Sequence, residues 1–399
     1  MHETGIENYY AIRDGKKLYY GYTTGTCAAA AAKAAALMLA TGKPVPYVDI
    51  LTPKGIALNL EVLEASLETN HARCAIRKYS GDDPDVTNGI LVYADVTAEK
   101  TPGVTVDGGE GVGRVTKPGL KQAIGEAAIN PVPLRMIREE AERVAEDYGI
   151  TGLKVIISIP AGVELAKRTF NPRLGIVGGI SVLGTSGIVE PMSEAALVES
   201  IGLELRQKYA LGCRRIIIAP GNYGADFIRS LCHVEESELV KCSNFIGQTI
   251  DMAVSAGYEE LLFVSHIGKF IKLAGGIMNT HSREADSRAE LMAACALRAG
   301  ADADTARRLL DCLTTDEMLE VLQDKGLLEQ TMHVAGERID YYLNYRAKGQ
   351  ITIGAAVFSN GIGMLCTTGP ADKWLAELKA ADDQNEEKDK TDIQEEEQQ

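Results

Sequence analysis

Between Val48 and Val96 the chain alternates short β-prone runs with turn residues: VDILTP, ALNLEVLEA, ARCAIRKYSG and GILVYADVT. This grammar predicts an antiparallel sheet. Ahead of it lies YTTGTCAAAAAKAAALMLATGKP, where Thr24 or Thr26 can cap a helix that Gly42 and Pro44 end. Eight alanines within Ala28–Ala36 give small side chains all round, which suits a buried helix that neighbouring backbones approach closely. Helix and sheet together predict an α+β first domain over residues 1–125. Pro131 and Pro133 introduce a further helix through Tyr148. Leu134, Ile137, Ala141, Val144 and Tyr148 lie on one of its faces, and Gly149 stands at its C-terminus.

After this helix the period changes. LKVIISIP, GIVGGISVLG, RRIIIAPG and ELLFVSHIG are nearly continuous apolar runs, each reaching a glycine-containing loop. Helical patterns, Met192 to Tyr209 and Asn244 to Ala256, separate the later pairs. The combination predicts a doubly wound, mostly parallel α/β domain over 126–349, with the first two runs joined as a hairpin or by a very short crossover. Ser287 with Glu290 and Thr314 with Glu317 both fit capping boxes, opening helices that end near Gly300 and Gly326. A third helix is expected from about Leu328 to Gly349. QITIGAAVFSNGIGMLCTTG then reads as a hairpin turning at Asn360-Gly361, and residues 350–380 as that hairpin plus a short helix packing back on the body. Residues 381–399 have almost no apolar side chains and read as a disordered acidic tail.

Charge narrows the function classes. The chain carries 41 Lys+Arg against 56 Asp+Glu, a net charge of −15. Asp382 to Gln399 hold nine acids and two lysines, −7 of that total, which leaves −8 for the rest. Sequence-nonspecific nucleic-acid binding needs many cations facing phosphates, and this balance speaks against it. The eight cysteines include no CxxC pair, so a thiolate metal site has no support. The N-terminus lacks the apolar core of a signal peptide, and Cys27 to Ala40 is short and interrupted by Lys33. A cytoplasmic protein with reduced thiols and no membrane partner is expected.

Ligands of open α/β sheets bind beyond the carboxyl ends of the strands. If all four apolar runs share one parallel sheet, then Pro160-Ala161-Gly162, Gly184-Thr185-Ser186-Gly187, Pro220-Gly221-Asn222-Tyr223-Gly224 and Ser265-His266-Ile267-Gly268-Lys269 gather along one edge. Thr23, Thr24, Gly25 and Thr26 offer N–H groups and hydroxyls to an anion at a helix start, without Walker spacing. GGEGVGRVTKPG, Gly108 to Gly119, reads as a mobile lid or interdomain loop. Lys269, Lys272, Arg283 and Arg288 cluster near His266 and His281, which suits a ligand bearing carboxylates or phosphates, though surface ion pairs would give the same pattern. Asp82, Asp83 and Asp85 read as a polar turn rather than a cation site. Cys27 at a helix start could have a lowered pKa, yet has no histidine at readable spacing.

Taken in order, YGYTTGTCAAAAAKAA, GVGRVTKPGL, AINPVP, GGISVLGTSGIVEPMSE, APGNYG and HIGKFIKLAGGIMNTHSREADSR resemble the cobalt-precorrin-5B (C-1)-methyltransferase family of anaerobic cobalamin biosynthesis. The resemblance runs from about Tyr20 to Gly369. It implies methyl transfer from S-adenosylmethionine to C-1 of a ring-contracted cobalt tetrapyrrole, with cobalt carried by the substrate and no protein-bound metal. With that ligand pair, position along the chain suggests Gly179, Gly184, Thr185, Gly187 and Asn222 near the methyl donor. By the same reasoning Lys117, Lys269 and Arg283 lie near the tetrapyrrole, with His266 as the catalytic candidate. A corrinoid carrier without methyltransferase activity and a nucleotide-dependent transferase are the alternatives, and oligomeric state is left open.

Overall fold

The computed structural model describes residues 3–380 apart from Asp14, Phe170, His233 and 235–237. The expected acidic tail, 381–399, lies outside the described residues. The chain divides into two compact units, Met1–Glu194 and Ala195–Gln399.

The first unit is built around the alanine helix, Thr24–Thr41, whose residues Ala28 to Ala36 are fully buried except Lys33. By length and composition this helix could cross a membrane, but 72% of it is buried inside the protein. It packs on the Pro131–Tyr148 helix and on a five-stranded sheet, sharing one core with them. The sheet order is Leu63–Leu67, His71–Arg77, Leu91–Glu99, Gly152–Ser158, Gly103–Gly108. Gly149 closes the Pro131 helix in the left-handed conformation, as its position predicts.

Two expectations are corrected here. LKVIISIP does not join the later parallel sheet. Its strand pairs antiparallel with Leu91–Glu99 and parallel with Gly103–Gly108. The reason was visible in Lys154: Leu153, Val155 and Ile157 are buried while Lys154 is exposed, the mark of a strand covered on one face. GIVGGISVLG forms no long strand either. Ile176–Val177 pairs with Arg114–Val115, and Gly179–Ile180 pairs with Gly111–Val112. The Gly108 to Gly119 run is therefore pinned framework rather than a lid, and the boundary between units falls after Glu194 rather than near residue 125.

Residues 183–187 are clamped onto the first turn of the alanine helix. Gly25 N–H donates to Leu183 O at 2.9 Å, Thr23 N–H to Gly187 O at 3.1 Å, and Thr26 Oγ1 to Gly187 O at 2.7 Å. Of the helix-start donors expected to bind an anion, the N–H groups of Thr23, Gly25 and Thr26 are thus satisfied internally. Gly187 has φ +77°, and a Cβ there would lie 2.9 Å from both Thr52 Cβ and Pro53 Cδ.

The second unit holds the doubly wound sheet, ordered Leu239–Lys241, Arg215–Ala219, Glu260–His266, Thr352–Ser359, Gly363–Thr368. The first four strands are parallel and the last antiparallel. Ile216, Ile218, Leu261 and Phe263 face a core shared with helices Ile246–Ala256, Arg288–Arg298, Ala303–Asp311, Thr315–Asp324 and Leu328–Ala347. Ile217, Ala219, Leu262 and Val264 face the opposite core, with Asn222–Leu231 and a helix over 371–380 carrying Trp374. Residues 350–380 are therefore integral to the sheet: Thr352–Ser359 lies between a parallel and an antiparallel neighbour. Its hairpin turns through three residues, with positive φ at Gly363 rather than Gly361. The Thr314–Glu317 capping box forms, whereas Ser287 adopts φ 46° and makes no side-chain cap.

Gly187→Val should destabilise the protein by more than 1 kcal/mol, roughly, because φ and space both exclude a branched side chain. Denaturant melts of this variant check it. Trp374→Ala, at a position 1% exposed, should cost about 3–5 kcal/mol by the same measurement.

Candidate active site

Within the second unit the chain leaves Arg215–Ala219 through Asn222–Leu231 to the strand on one side. It then returns through Ile246–Ala256 to the strand on the other side, Glu260–His266. The winding direction reverses between these two neighbouring strands, which opens a crevice beyond their carboxyl ends. Two of the four expected loops meet here, Pro220–Gly224 and Ser265–Lys269. The loops at 160–162 and 184–187 belong to the first unit.

Four groups define the crevice. Lys269 Nζ donates to Pro220 O at 2.5 Å. Lys241 Nζ donates to Asn222 Oδ1 at 3.1 Å. His266 Nδ1 accepts from Gly268 N–H at 3.1 Å, capping the short helix Ile267–Phe270. Tyr223, 67% exposed, has its ring centroid 6.2 Å from that of His266, which meets Phe358 edge-on at 5.6 Å. The Asn222–Leu231 helix begins at Gly221 with no side-chain cap.

Its electrostatics are cationic. Lys269 is half-buried and Lys272 is buried, and among the described residues neither forms an ion pair with a carboxylate within 4.0 Å. Lys272 Nζ donates instead to Thr280 O at 3.1 Å and Ala285 O at 2.8 Å, which holds the 280–285 loop. Burial lowers the pKa of both ammonium groups. Thr280 N–H also donates to Asn244 O at 3.0 Å, fastening the loop beside the end of strand Leu239–Lys241. Arg283, on that loop, is exposed.

His266 suits a donor better than a base. Its Nδ1 lone pair is taken by Gly268, so the neutral ring carries its proton on Nε2, 4.0 Å from Asp316 Oδ1. Burial lowers its pKa, against the opposing pull of Asp316.

The other expected residues fall in the first unit. Lys117 is exposed, with its stem against Gly175. Gly179 packs on the Gly111 carbonyl, and Gly184, at φ +135°, on the Thr23 side chain, so close packing within the first unit surrounds both. Thr185 is exposed at the loop tip. Cys27 is fully buried, and burial pushes its pKa up to about 12, the reverse of an activated thiol. Asp85 pairs with Lys78 at 2.6 Å, and Asp82 and Asp83 accept from Tyr19 N–H and Met192 N–H, which completes the polar turn. Among the described residues no group of three or more His, Cys, Asp or Glu could hold a metal ion. Sequence reasoning missed Lys241, because its three-residue strand is too short to show a period.

Residues 11–191 match the CbiD family model, and residues 279–369 match the model described as CbiD, C-terminal domain. A cobalt-precorrin-5B C(1)-methyltransferase of Ruminiclostridium cellulolyticum is 46% identical, covering 88% of this chain and 91% of its own. One of Alkaliphilus metalliredigens is 45% identical, covering 93% and 98%. One of Methanocaldococcus jannaschii is 42% identical, covering 84% and 92%. A crystal structure of a cobalamin biosynthesis protein from Archaeoglobus fulgidus is similar at 29% identity over 70% of this chain and 87% of that one, with a TM-score of 0.38. With two family models matched in order and relatives above 40% identity along nearly the whole length, the chain belongs to the CbiD family of cobalt-precorrin-5B C(1)-methyltransferases.

Proposed function

We propose that this protein transfers a methyl group from S-adenosylmethionine to C-1 of cobalt-precorrin-5B, giving cobalt-precorrin-6A in cobalamin biosynthesis. The observation that carries the reading is near full-length identity to relatives named for this reaction. The switch-point crevice supports it by supplying a cationic site of the right chemistry for the donor.

Residues present fit the donor's amino-acid end. Lys269 is half-buried, with one hydrogen bond to a carbonyl and no carboxylate partner among the described residues. A Cβ on Gly221 would meet only Lys269 Nζ, at 3.8 Å, so a carboxylate has room beside the ammonium group. Lys269, expected on the tetrapyrrole side, is reassigned on this ground to the same crevice as Asn222. Arg283 adds positive charge at the same edge, and Tyr223 presents an exposed ring to a flat group. The donor, when bound, supplies an electrophilic sulfonium methyl. The chain's task is then to hold donor and acceptor carbon in line, which accounts for most of the acceleration in such transfers. His266 orients a ligand acceptor through Nε2–H.

S-adenosylhomocysteine should raise stability by about 2.7 kcal/mol at one hundred times its dissociation constant. Absence of any melting shift, with a tetrapyrrole still bound, would favour a carrier. Lys269→Met should weaken that ligand roughly tenfold or more, the worth of a charge-assisted hydrogen bond, in calorimetric titration of folded protein. Labelled donor incubated anaerobically with cobalt-precorrin-5B tests the transfer itself.

Acid should act through His266. Its folded pKa lies below the ordinary 6.5, so the unfolded chain takes up the proton first. The stability tied to the neutral ring is complete above about pH 6.5 and drains as pH falls below that value. His266→Asn, which keeps a cap acceptor but cannot titrate there, should flatten this part of the stability–pH curve.

A further inference from the structure

Thr280 to Ala285 form a loop of the second unit whose middle, Ser282 to Glu284, is exposed. Such loops are ordinarily the more mobile parts of a fold. This one is fastened from below and from within. Lys272 Nζ, buried beneath it, ties Thr280 O to Ala285 O. Thr280 N–H donates to Asn244 O at 3.0 Å, His281 N–H to Asn279 Oδ1 at 3.2 Å, and Glu284 N–H to His281 O at 3.1 Å. Arg283 N–H donates to His281 Nδ1 at 3.0 Å.

That last bond fixes the imidazole. With its Nδ1 lone pair taken, the neutral ring of His281 carries its proton on Nε2. His266 is locked in the same way, its Nδ1 accepting the N–H two residues on. The two rings differ in what they face. His266 Nε2 stands 4.0 Å from Asp316 Oδ1. Among the described residues, His281 Nε2 and the Arg283 guanidinium have no hydrogen-bond or ion-pair partner. The acids on this stretch do not answer them. Asp286 accepts from Arg288 Nε at 2.5 Å and Nη2 at 3.0 Å, and Glu284 pairs with no cation among the described residues.

The loop therefore holds its backbone rigid and leaves two side-chain donors unspent. Donors ordered in advance lose little entropy when a ligand arrives. Imidazole Nε2–H and guanidinium are donors only, and the Lys272 ammonium below them keeps its charge, since carbonyls satisfy it without neutralising it. None of these side chains offers a lone pair, so the arrangement selects an acceptor that carries negative charge. The loop also adjoins the crevice. Lys241, which bonds Asn222, stands three residues before Asn244, which holds Thr280, so the two fastenings lie within about 11 Å along the chain.

We propose that His281 Nε2–H and the Arg283 guanidinium form a carboxylate-binding site at the edge of the crevice. Its occupant is a rim carboxylate of the tetrapyrrole. The donor has a single carboxylate, for which Lys269 already accounts, whereas the macrocycle carries several. The choice of occupant rests on the methyltransferase reading above.

The test uses the full chain and two variants. His281→Asn keeps a side-chain oxygen that can accept the N–H two residues on, as in an Asx turn, and removes Nε2–H. Arg283→Gln removes a guanidinium that fastens nothing among the described residues, so this variant should melt as wild type does. Uroporphyrin, a stable tetrapyrrole octacarboxylate, is titrated by its fluorescence and S-adenosylhomocysteine by calorimetry, and KM and kcat are measured for cobalt-precorrin-5B. Each variant should bind uroporphyrin about tenfold more weakly, the worth of one charge-assisted hydrogen bond. KM should rise by a similar factor, with kcat and S-adenosylhomocysteine affinity unchanged. Weakened S-adenosylhomocysteine instead, while 5′-methylthioadenosine, which lacks the amino-acid end, binds normally, gives the site to the donor's carboxylate and overturns the tetrapyrrole as occupant. Unchanged affinity for both ligands, with normal wild-type turnover, overturns the site and leaves the methyltransferase standing. Wild-type protein that binds uroporphyrin through these two residues yet transfers no methyl group defeats the functional reading and leaves the site.

Discussion

The second unit depends on covering one sheet on both faces. Along Arg215–Ala219, Ile216 and Ile218 point into one core while Ile217 and Ala219 point into the other. A strand apolar on both sides is stable only if helices lie on both sides. The chain therefore leaves this strand and its neighbour Glu260–His266 toward opposite faces, and the two exits part at the strands' carboxyl ends. The crevice between Pro220 and Lys269 follows from that need for burial. Its location owes nothing to any catalytic side chain, which is why an argument from strand ends could find it.

What the crevice holds does cost stability. Two ammonium groups on one short stretch, Lys269 and Lys272, are removed from water and answered by backbone carbonyls rather than carboxylates. Carbonyl dipoles satisfy the donors yet leave net charge in place. In an acidic chain a carboxylate partner would have been easy to provide. Among the described residues none pairs with Lys269, whereas Lys272 spends its charge holding the loop that bears Arg283.

Legibility followed physical range. Terminators such as Gly149 and the Thr314–Glu317 box were readable because their causes lie within four residues. The strands RRIIIAPG and ELLFVSHIG were readable because burial on two faces writes an unbroken apolar run. The partner of LKVIISIP was not, because pairing is decided by residues far along the chain, although Lys154 already marked an open face. Gly179, Gly184 and Gly187 show the same limit at a finer scale. A glycine announces that something comes close, and only the fold tells whether that is ligand, Gly111 or the start of the alanine helix. The loops carrying Asn222, Tyr223, His266 and Lys269 could be placed at strand ends from the sequence, while Lys241 needed coordinates.

The clamp between residues 183–187 and the first turn of the alanine helix has a consequence for biosynthesis. Tyr22 pairs with Ile188, and Thr26 bonds to Gly187 across 161 positions of sequence. The helix that centres the first unit is therefore among its earliest segments to leave the ribosome, yet its N-terminal donors are met by some of the last. Contacts of such span are slow to form, because a long loop must close before they contribute. Until then the donors of its first turn wait unmet, although the sheet and the Pro131–Tyr148 helix can already cover its small-residue surface. The last step in completing the first unit is therefore the capping of its central helix rather than the burial of that helix's surface.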